Sequence, residues 1–501
     1  MRTSDIPAGF PAAEGRRWSS LLRKALRKAL RKALAIASVA AVVLTASESS
    51  AQCPYCAPAV VHGGGASPGL GIALGIGGAV LLAAIIGSTQ QAASQPQKGN
   101  IAVGRSGRNG APPAGEFRFI SDEILVAFRG HPSDHVLTTF GRKRHLERLE
   151  SYEFSLIGMT IYRWRITNGR PVPVATTQVS GDPLVNWTQP NYFYLTQEDG
   201  SQRAVPLEKP ASDSNSAQYA IDKLHLSEAH KFANGDNVLV AVIDSGIDTS
   251  HPELAGVIAD RFDALGSNEG PHKHGTAIAG IIAAHSQLTG AAPAAGILAV
   301  RAFGTGSAGT QGTTFNILKG LDWAVSRGAR IANMSFAGPP DPLLQKAVES
   351  AWQHGTIIIA AAGNAGAKSP PLYPGADPNV IAVTATDADD HLFDQANRGS
   401  YVAVAAPGVN ILVPINGGSY ETSSGTSYAA AYVSGVMALI LQRGPKLAPE
   451  AAKRILITTA KDLGPKGRDD QFGAGLVDAY QAILSLEPKA SNTRPPGATS
   501  R

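Results

Sequence analysis

Cysteine is almost absent from this chain, because its 501 residues include only two, Cys53 and Cys56. Two thiols are too few for a disulfide-dense scaffold or for a four-cysteine zinc site. They form a C-x-x-C motif, but no thioredoxin-like βαβ pattern surrounds it, so we favour a small disulfide or no role over a redox centre. Cysteine chemistry is therefore not predicted to carry the function.

Charged residues are also few, at 17% of the chain, while 44% is hydrophobic and Gly and Pro number 54 and 33. This composition excludes a coiled coil, a collagen-like repeat and a wholly disordered protein. The length is typical of roughly three domains, or of one large domain with appendages.

The net charge of +5 is concentrated at the N-terminus. Residues 1–116 contain 12 of the 44 Lys and Arg but only 4 of the 39 Asp and Glu, which gives them a net charge of +8 and leaves −3 for the rest. The bulk of the protein therefore lacks the basic surface of a nucleic-acid-binding protein, and no nucleic-acid partner is predicted.

An export signal is predicted over residues 1–51. The motif Arg-Lys-Ala-Leu occurs three times in residues 23–34 and leads into Ala33–Ser47, which is uncharged and mostly apolar. A basic flank, an apolar stretch and small residues before a cleavage point after Ala51 are typical of such a signal. A surface helix is the weaker alternative, because the apolar stretch has no polar face. We expect an exported protein, secreted or held in the cell envelope.

Residues 52–116 contain a second apolar run, Leu70–Ile86, and a linker rich in Gln, Ser, Gly and Pro. As a helix the run would span roughly 26 Å, against about 30 Å for a bilayer core, so residues 69–88 are a candidate membrane helix. A Gly-rich segment before the folded part is the alternative. A cleaved signal followed by a spanning helix would return the rest of the chain to the cytoplasm, so membrane anchoring stays open.

Two folded segments follow, 117–205 and 218–487, and residues 488–501 are predicted to be a disordered tail. The first contains the strand candidate Glu123–Phe128, a polar helix candidate and a closing strand that ends at Tyr194, which predicts a small α+β unit. The second alternates helical stretches with continuous apolar runs, as expected for strands buried on both faces of a parallel sheet. It predicts a doubly wound, mostly parallel α/β sheet with its chemistry at the carboxyl ends of the strands. The strand candidates are Val238–Ile243, Ile297–Val300, Ile331–Met334, Ile357–Ala361 and Val380–Val383.

Three residues have the types and settings of a nucleophilic catalytic triad. Asp244 follows a strand candidate in VIDSGID, His274 begins a helix in HKHGTAIAG, and Ser427 begins another in SSGTSYAAA. A serine hydroxyl needs a base to remove its proton, and an imidazole base needs a carboxylate that fixes its tautomer and stabilises its charged form. His272 is the competing base, but His274 is the histidine that directly precedes a Gly-Thr pair.

In this chain order, D-S-G-I-D, H-G-T and G-T-S-x-A resemble the motifs of the subtilases, the subtilisin-like serine proteases. Asn364 in AAAGNAG matches the position that supplies the side-chain donor of the family's oxyanion hole. The resemblance covers 218–487 and implies a serine endopeptidase that hydrolyses protein or peptide substrates through an acyl-enzyme. Two other interpretations stay open: a non-catalytic binding protein with this fold, and a membrane-anchored regulatory protease that cuts one partner.

The resemblance also implies a substrate groove. One wall matches the family's edge strand, which pairs with extended substrate backbone, and the other matches a wall of the primary specificity pocket. The edge strand comprises Ser335, Phe336, Ala337 and Gly338, the pocket wall comprises Ala361, Ala362 and Gly363, and Leu372 lies near the floor. Ala337 stands where relatives usually have Gly, so small or medium apolar side chains are expected in the pocket.

No cofactor and no metal ligand are predicted. The loop AAHSQLTGAAP lacks the insertion that wraps the strong calcium site of many relatives, and Glu253 replaces an aspartate that often joins that site. A structural calcium ion is therefore not excluded, but it cannot be carried over from the family.

Residues 117–205 resemble the subtilase prodomain, a small α+β chaperone and inhibitor, and EILVAF and PNYFYL are the informative pieces. The resemblance implies that the last strand of this unit lies in the substrate groove, and that the enzyme cuts itself between Leu195 and Ser216. The expected partners are protein or peptide substrates and the chain's own prodomain, with a membrane as the open alternative.

Overall fold

The computed structural model describes residues 110–196, 203–204, 218–267, 269–306 and 309–487. They all belong to one compact unit, Asn100–Arg501. The predicted export signal, the candidate membrane helix, the C-x-x-C motif and the C-terminal tail lie outside the described residues. None of the helices within those residues combines the length and the apolar character that crossing a membrane requires.

The N-terminal lobe, residues 110–196, is a four-stranded antiparallel sheet with two helices. The elements are β1 Phe119–Phe128, α1 Asp134–Arg144, β2 Leu146–Phe154, β3 Met159–Ile166, α2 Val172–Ser180 and β4 Val185–Thr196. The strands follow the order β2-β3-β1-β4. Phe128, Phe140 and Trp164 pack edge to face between the sheet and α1, with the first two ring centroids 4.9 Å apart. The lobe therefore has an apolar core of its own.

The C-terminal lobe, residues 218–487, is built on a seven-stranded sheet in which every described strand pair is parallel. Its strands are β6 Leu239–Asp244, β7 Ile258–Asp263, β8 Gly296–Arg301, β11 Ile331–Met334, β13 Ile357–Ala361, β14 Val380–Thr386 and β15 Val402–Pro407. The strand order is β15-β14-β13-β11-β6-β8-β7. Strands β7 and β8 lie on one side of β6 and β11, β13, β14 and β15 on the other, so the strand order reverses beside β6. The doubly wound parallel sheet expected from the sequence is confirmed.

Helices cover both faces of this sheet, because successive strand residues point to opposite faces and both sets are apolar. The helices are α3 Tyr219–Lys223, α4 Leu226–Ala229, α5 Lys273–Ala283, α6 Thr314–Ser326, α7 Pro342–Gln353, α8 Thr426–Arg443, α9 Pro449–Thr458 and α10 Ala479–Leu484. In β6, Val240 and Val242 pack in the core that contains α5 and α8. Ala241 and Ile243 pack in the core that contains α6 and α7.

Strand β4 joins the two lobes. It pairs antiparallel with β10, Gly309–Thr313, and with β12, Phe336–Ala337, while β9, Phe303–Gly306, continues the sheet beyond β10. The last strand of the N-terminal lobe therefore lies between two strands of the C-terminal lobe.

A small antiparallel sheet completes the C-terminal lobe. Strands β16, Ile411–Ile415, and β17, Ser419–Ser423, form a hairpin, and β5, Arg203–Ala204, pairs with β17. The chain thus pairs with the C-terminal lobe both before and after residues 197–202, which are not described.

Candidate active site

The predicted site residues gather at the carboxyl ends of the parallel strands. Asp244 is the last residue of β6, Ser335 follows β11 directly, and Ala361 ends β13. Strand β6 lies where the strand order reverses, which is where open α/β sheets bind ligands. The fold thus places these side chains at the edge that the sequence predicted.

Asp244 and His274 form a buried hydrogen-bonded pair. The His274 Nδ1 atom lies 2.7 Å from Asp244 Oδ1, and both side chains are fully buried. The same oxygen accepts bonds from the backbone N–H of Ser245 at 2.7 Å and from its hydroxyl at 3.2 Å. These donors orient the carboxylate, which in turn favours the imidazole tautomer that carries its proton on Nδ1.

Helix α5, which carries His274, approaches the end of β6 closely. A Cβ atom at Gly275 would lie 2.6 Å from the Ser245 carbonyl oxygen, so only glycine permits this approach. The N–H of Gly275 donates to the Ser245 hydroxyl at 3.0 Å. His272, the competing base, caps the helix: its Nδ1 accepts the N–H of His274 at 3.3 Å. The structure thus explains His272 as the N-cap residue of α5.

Ser427 is fully buried in the first turn of α8, against Ser335. The Ser427 hydroxyl donates to the Ser335 carbonyl at 3.1 Å, and the Ser335 hydroxyl donates to the Ser427 carbonyl at 3.1 Å. Asn333 donates to the Ser335 hydroxyl at 2.8 Å and accepts from Ser434 on α8 at 3.0 Å. This network ties the end of β11 to α8 and fixes the backbone around Ser427.

Asn364 lies beside Thr426, the residue before Ser427. Its Oδ1 accepts the backbone N–H of Thr426 at 3.1 Å and the hydroxyl of Thr426 at 2.7 Å. Because two donors fix the carbonyl side of the amide, its NH₂ side is oriented as a donor. Asn364 is thereby held within one residue of the predicted nucleophile, where an oxyanion donor is needed.

The predicted edge strand pairs with the chain itself. Ala337 lies opposite Leu195, and Phe336 lies opposite Thr196. On the other side of β4, Gln311 of β10 also lies opposite Leu195. The groove beside Ser427 therefore holds an extended segment of the N-terminal lobe.

The predicted pocket residues also lie together. Gly338 and Tyr373 exchange backbone hydrogen bonds of 2.8 and 3.1 Å, which brings Leu372 beside the edge strand. A Cβ atom at Gly363 would come within 3.0 Å of the Leu372 side chain, so these two residues are neighbours. Ala362 and Leu372 are both buried.

Asp341 is a residue at this groove that sequence reasoning missed. It caps α7 by accepting the N–H groups of Leu343 and Leu344 at 3.0 and 3.2 Å. It also accepts the side-chain N–H of Gln189 from the N-terminal lobe at 2.7 Å. Burial raises the pKa of Asp341 above its usual value, and hydrogen bonds such as that from Gln189 oppose the rise. An aspartate before Pro342 predicts a helix cap, and only the fold shows the contact with β4.

Glu253 stabilises the loop after α5, where the resemblance raised the question of a calcium ion. Its carboxylate accepts the backbone N–H groups of Ser286 at 2.9 Å, Gln287 at 2.9 Å and Leu288 at 3.1 Å. The Tyr420 hydroxyl also donates to it, at 2.7 Å. Calcium takes oxygen ligands, whereas this loop presents N–H donors to the carboxylate. The residues around Glu253 therefore do not fit a calcium ion.

Among the described residues, one group has the spacing of metal ligands: Asp387, Asp389 and His391. The group is mainly exposed and is explained by a turn, since Asp387 accepts the N–H groups of the other two residues at 2.9 Å each. The group is distant in sequence from the predicted catalytic residues. It supplies no reason to assign a metal ion.

Comparisons with known proteins point to one family. The model of the subtilase family matches residues 235–475. Thermitase of Thermoactinomyces vulgaris is 35% identical over 277 residues, which cover 54% of this chain and 96% of thermitase. The minor extracellular protease Epr of Bacillus subtilis is 33% identical over 338 residues, which cover 63% of this chain.

A solved structure also resembles this chain. Fervidolysin from Fervidobacterium pennivorans, a keratinolytic enzyme related to subtilisin, superposes with a TM-score of 0.63 at 25% identity. The match covers 76% of this chain and 63% of fervidolysin. The chain also spans only 50% of the length of Epr. Fervidolysin and Epr therefore both contain further regions that the matches leave out.

Proposed function

The chain belongs to the subtilase family, and from that premise we propose that it is a serine endopeptidase acting through Asp244, His274 and Ser427. The observation that carries the proposal is the buried 2.7 Å bond between His274 and Asp244 at the strand edge that also holds Ser427. In this assignment His274 takes the proton of the Ser427 hydroxyl, and Asp244 stabilises the imidazolium that forms.

The Ser427 hydroxyl attacks the substrate carbonyl and forms an acyl-enzyme that water then hydrolyses. Before the attack it must exchange its bond to the Ser335 carbonyl, 3.1 Å long, for one to His274. Asn364 and the backbone N–H of Ser427 donate to the oxyanion. Support for this role is the pair of bonds from Thr426 that orient the Asn364 amide.

The N-terminal lobe acts as a prodomain that inhibits the protease until it is removed. Its strand β4 fills the groove between β10 and β12 with regular antiparallel pairing, as an extended substrate would. The lobe has its own apolar core, so it can fold as a unit and present that strand.

The pairing also narrows the site of self-cleavage. On one side of the site Thr196 lies opposite Phe336, and on the other Arg203 lies opposite Thr422 of β17. Strand β17 leads within a few residues to Ser427. Because Thr196 and Arg203 pair with strands that lie close in the chain to Ser335 and Ser427, we place the cleaved bond between them.

Expression of the full chain and of Ser427→Ala tests both parts of the proposal. The wild type should yield two fragments with a new N-terminus between residues 197 and 203, and the variant should stay uncut. Mass spectrometry of the fragments locates the bond. Cleavage of purified Ser427→Ala at the same bond would show that another protease does the work.

Export of the protease completes the proposal. Epr is named an extracellular protease, and the N-terminal pattern of basic and apolar residues predicts a signal in this chain. Cell fractionation with antibody against the C-terminal lobe should find the mature protein outside the cytoplasm. Its proposed substrates are proteins and peptides.

A further inference from the structure

Tyr194 of β4 is inserted into a pocket of the C-terminal lobe. Its side chain is completely buried, and its ring packs edge to face on Phe336, with centroids 5.7 Å apart. Gly338 forms another wall, and a Cβ atom at that position would overlap the Tyr194 ring. The pocket therefore has room for an aromatic ring because residue 338 has no side chain.

The far end of the pocket is polar. The Tyr194 hydroxyl donates to Asp341 Oδ2 at 3.1 Å, and the Thr314 hydroxyl donates to the same atom at 2.6 Å. Asp341 is only 4% exposed, and α7 fixes it in place because it caps that helix. A buried carboxylate thus faces the position of the phenol hydroxyl.

The register of β4 relates this pocket to the cleaved bond. Thr196 lies opposite Phe336, so in a substrate bound in the register of β4 the residue after the one in the place of Thr196 would lie opposite Ser335. Ser335 is the residue whose carbonyl accepts the Ser427 hydroxyl. That substrate residue would present its carbonyl to the nucleophile, and the substrate residue in the place of Tyr194 would stand three residues before it.

We propose that Asp341 is a specificity residue of the groove. It selects tyrosine over phenylalanine at the substrate position three residues before the residue whose carbonyl is attacked. The inference rests on the proposed function, since it concerns substrates of the same groove. When the N-terminal lobe leaves, Asp341 loses the donors Gln189 and Tyr194. A substrate tyrosine restores one of them, whereas phenylalanine leaves a largely buried carboxylate short of a donor.

Peptide hydrolysis provides the first test. The full chain is expressed, and the protease it yields is assayed on two peptides that differ only in Tyr or Phe at this position. Hydrogen bonds to buried charged groups predict a kcat/KM about tenfold higher for the Tyr peptide. Asp341→Ser keeps a helix-capping residue but is too short to reach the phenol, so the Tyr-to-Phe ratio should fall to about one.

The ratio is taken within each enzyme, so a general loss of activity cancels. Asp478→Ser is the matched control, because Asp478 caps α10 in the same way without contacting β4. It should keep the wild-type ratio. Equal rates on both peptides in the wild type, or a Tyr preference that survives Asp341→Ser, would overturn the proposal.

Hydrogen exchange in the uncut Ser427→Ala chain tests the contact without catalysis. Tyr194→Phe should speed exchange of the β4 amides that pair with β10 about tenfold when Asp341 is present, and little when it is replaced by serine. If Tyr194→Phe changes the exchange rate by the same factor with and without Asp341, the selective contact between the two side chains is overturned. If the two substitutions are coupled in this variant but the chain with Ser427 intact hydrolyses no peptide, the contact's selectivity stands and the proposed protease function is rejected.

Discussion

The backbone N–H of Leu156 in the N-terminal lobe donates to the carboxylate of Asp322 on α6 at 2.7 Å. The bond crosses the interface between the lobes beside an ion pair of Lys319 and Glu150, whose charged atoms are also 2.7 Å apart. Burial raises the pKa of Asp322, although the bond from Leu156 opposes the rise. The interface therefore contains a carboxyl group whose protonation is coupled to folding.

The sign of this coupling gives a pH-dependent prediction. Because the folded-state pKa lies above the ordinary value of about 3.9, Asp322 stabilises the folded chain fully below that value and loses this contribution as the pH rises through the raised pKa. The Asp322→Asn side chain cannot titrate. In the Ser427→Ala background, the Tm of the chain that keeps Asp322 should therefore fall relative to that of Asp322→Asn as the pH rises from 4 to 7.

The control is Asp236→Asn, which changes an exposed aspartate of the C-terminal lobe. Its Tm should follow that of the parent chain over the same pH range. If the Tm of the parent chain minus that of Asp322→Asn stays constant or grows with pH, the assigned shift is contradicted.

Asn364→Leu should lower kcat about a hundredfold or more with little change in KM. Leucine has a similar size but no N–H, so it removes a donor that acts on the oxyanion and not on the bound ground state. Steady-state kinetics on one peptide measures both constants, with Ser427→Ala as the baseline. A large rise in KM at unchanged kcat would assign Asn364 to substrate binding instead.

The primary pocket should favour small or medium apolar side chains at the cleaved bond. Ala337 adds a methyl group to the edge strand, and Leu372 lies next to Gly363. We therefore expect little volume in the primary pocket for large rings. A peptide library with varied residues at that position measures the preference. A clear preference for Phe or Tyr there would show that the pocket is larger than these residues imply.

Glu253→Ala should lower the Tm strongly, because three backbone N–H groups and the Tyr420 hydroxyl lose their shared acceptor. Leu288 and Tyr420 are buried, and each buried donor left unsatisfied costs about 1–3 kcal/mol. Glu253→Gln is the matched variant and should lose less, since its amide oxygen still accepts. Thermal unfolding measures both substitutions.

Chelation should leave the Tm of the parent chain nearly unchanged, because hydrogen bonds from three backbone N–H groups and Tyr420 already engage the Glu253 carboxylate. Scans with and without EDTA in the Ser427→Ala background avoid self-digestion. A large drop in Tm with EDTA would reveal a metal site elsewhere in the chain.

The parallel sheet could be predicted from sequence because its strands are apolar on both faces, as β6 illustrates with residues in both cores. Strand β2 was missed for the opposite reason. Its sequence LERLESYEF is polar, and side-chain pairs such as Arg165 with Glu147, at 3.4 Å, accompany its pairing with β3. Helix α2 begins after a proline and is rich in β-branched residues, which gives a weak helix pattern.

The motifs located Asp244, His274, Ser427 and Asn364, because each has a fixed neighbourhood in the chain. Asp341 has no such neighbourhood: its partner Gln189 is 152 residues away and its partner Tyr194 is 147 residues away. The pairing of β5 with β17 depends equally on long-range geometry. Local patterns therefore indicate the proposed reacting groups, whereas the contacts behind the proposed selectivity of the groove are visible only in the folded chain.

Strand β4 lies in the groove as part of the same chain, and this tether would determine how activity begins. In the uncut chain the strand is tethered to its binding site, so its effective concentration there is high and does not depend on how dilute the protein is. A cut between Thr196 and Arg203 turns the same strand into a separate molecule that dissociates according to mass action. Activity should then rise with dilution after cleavage, and the first free enzyme molecules would accelerate the release of the rest by digesting dissociated lobes.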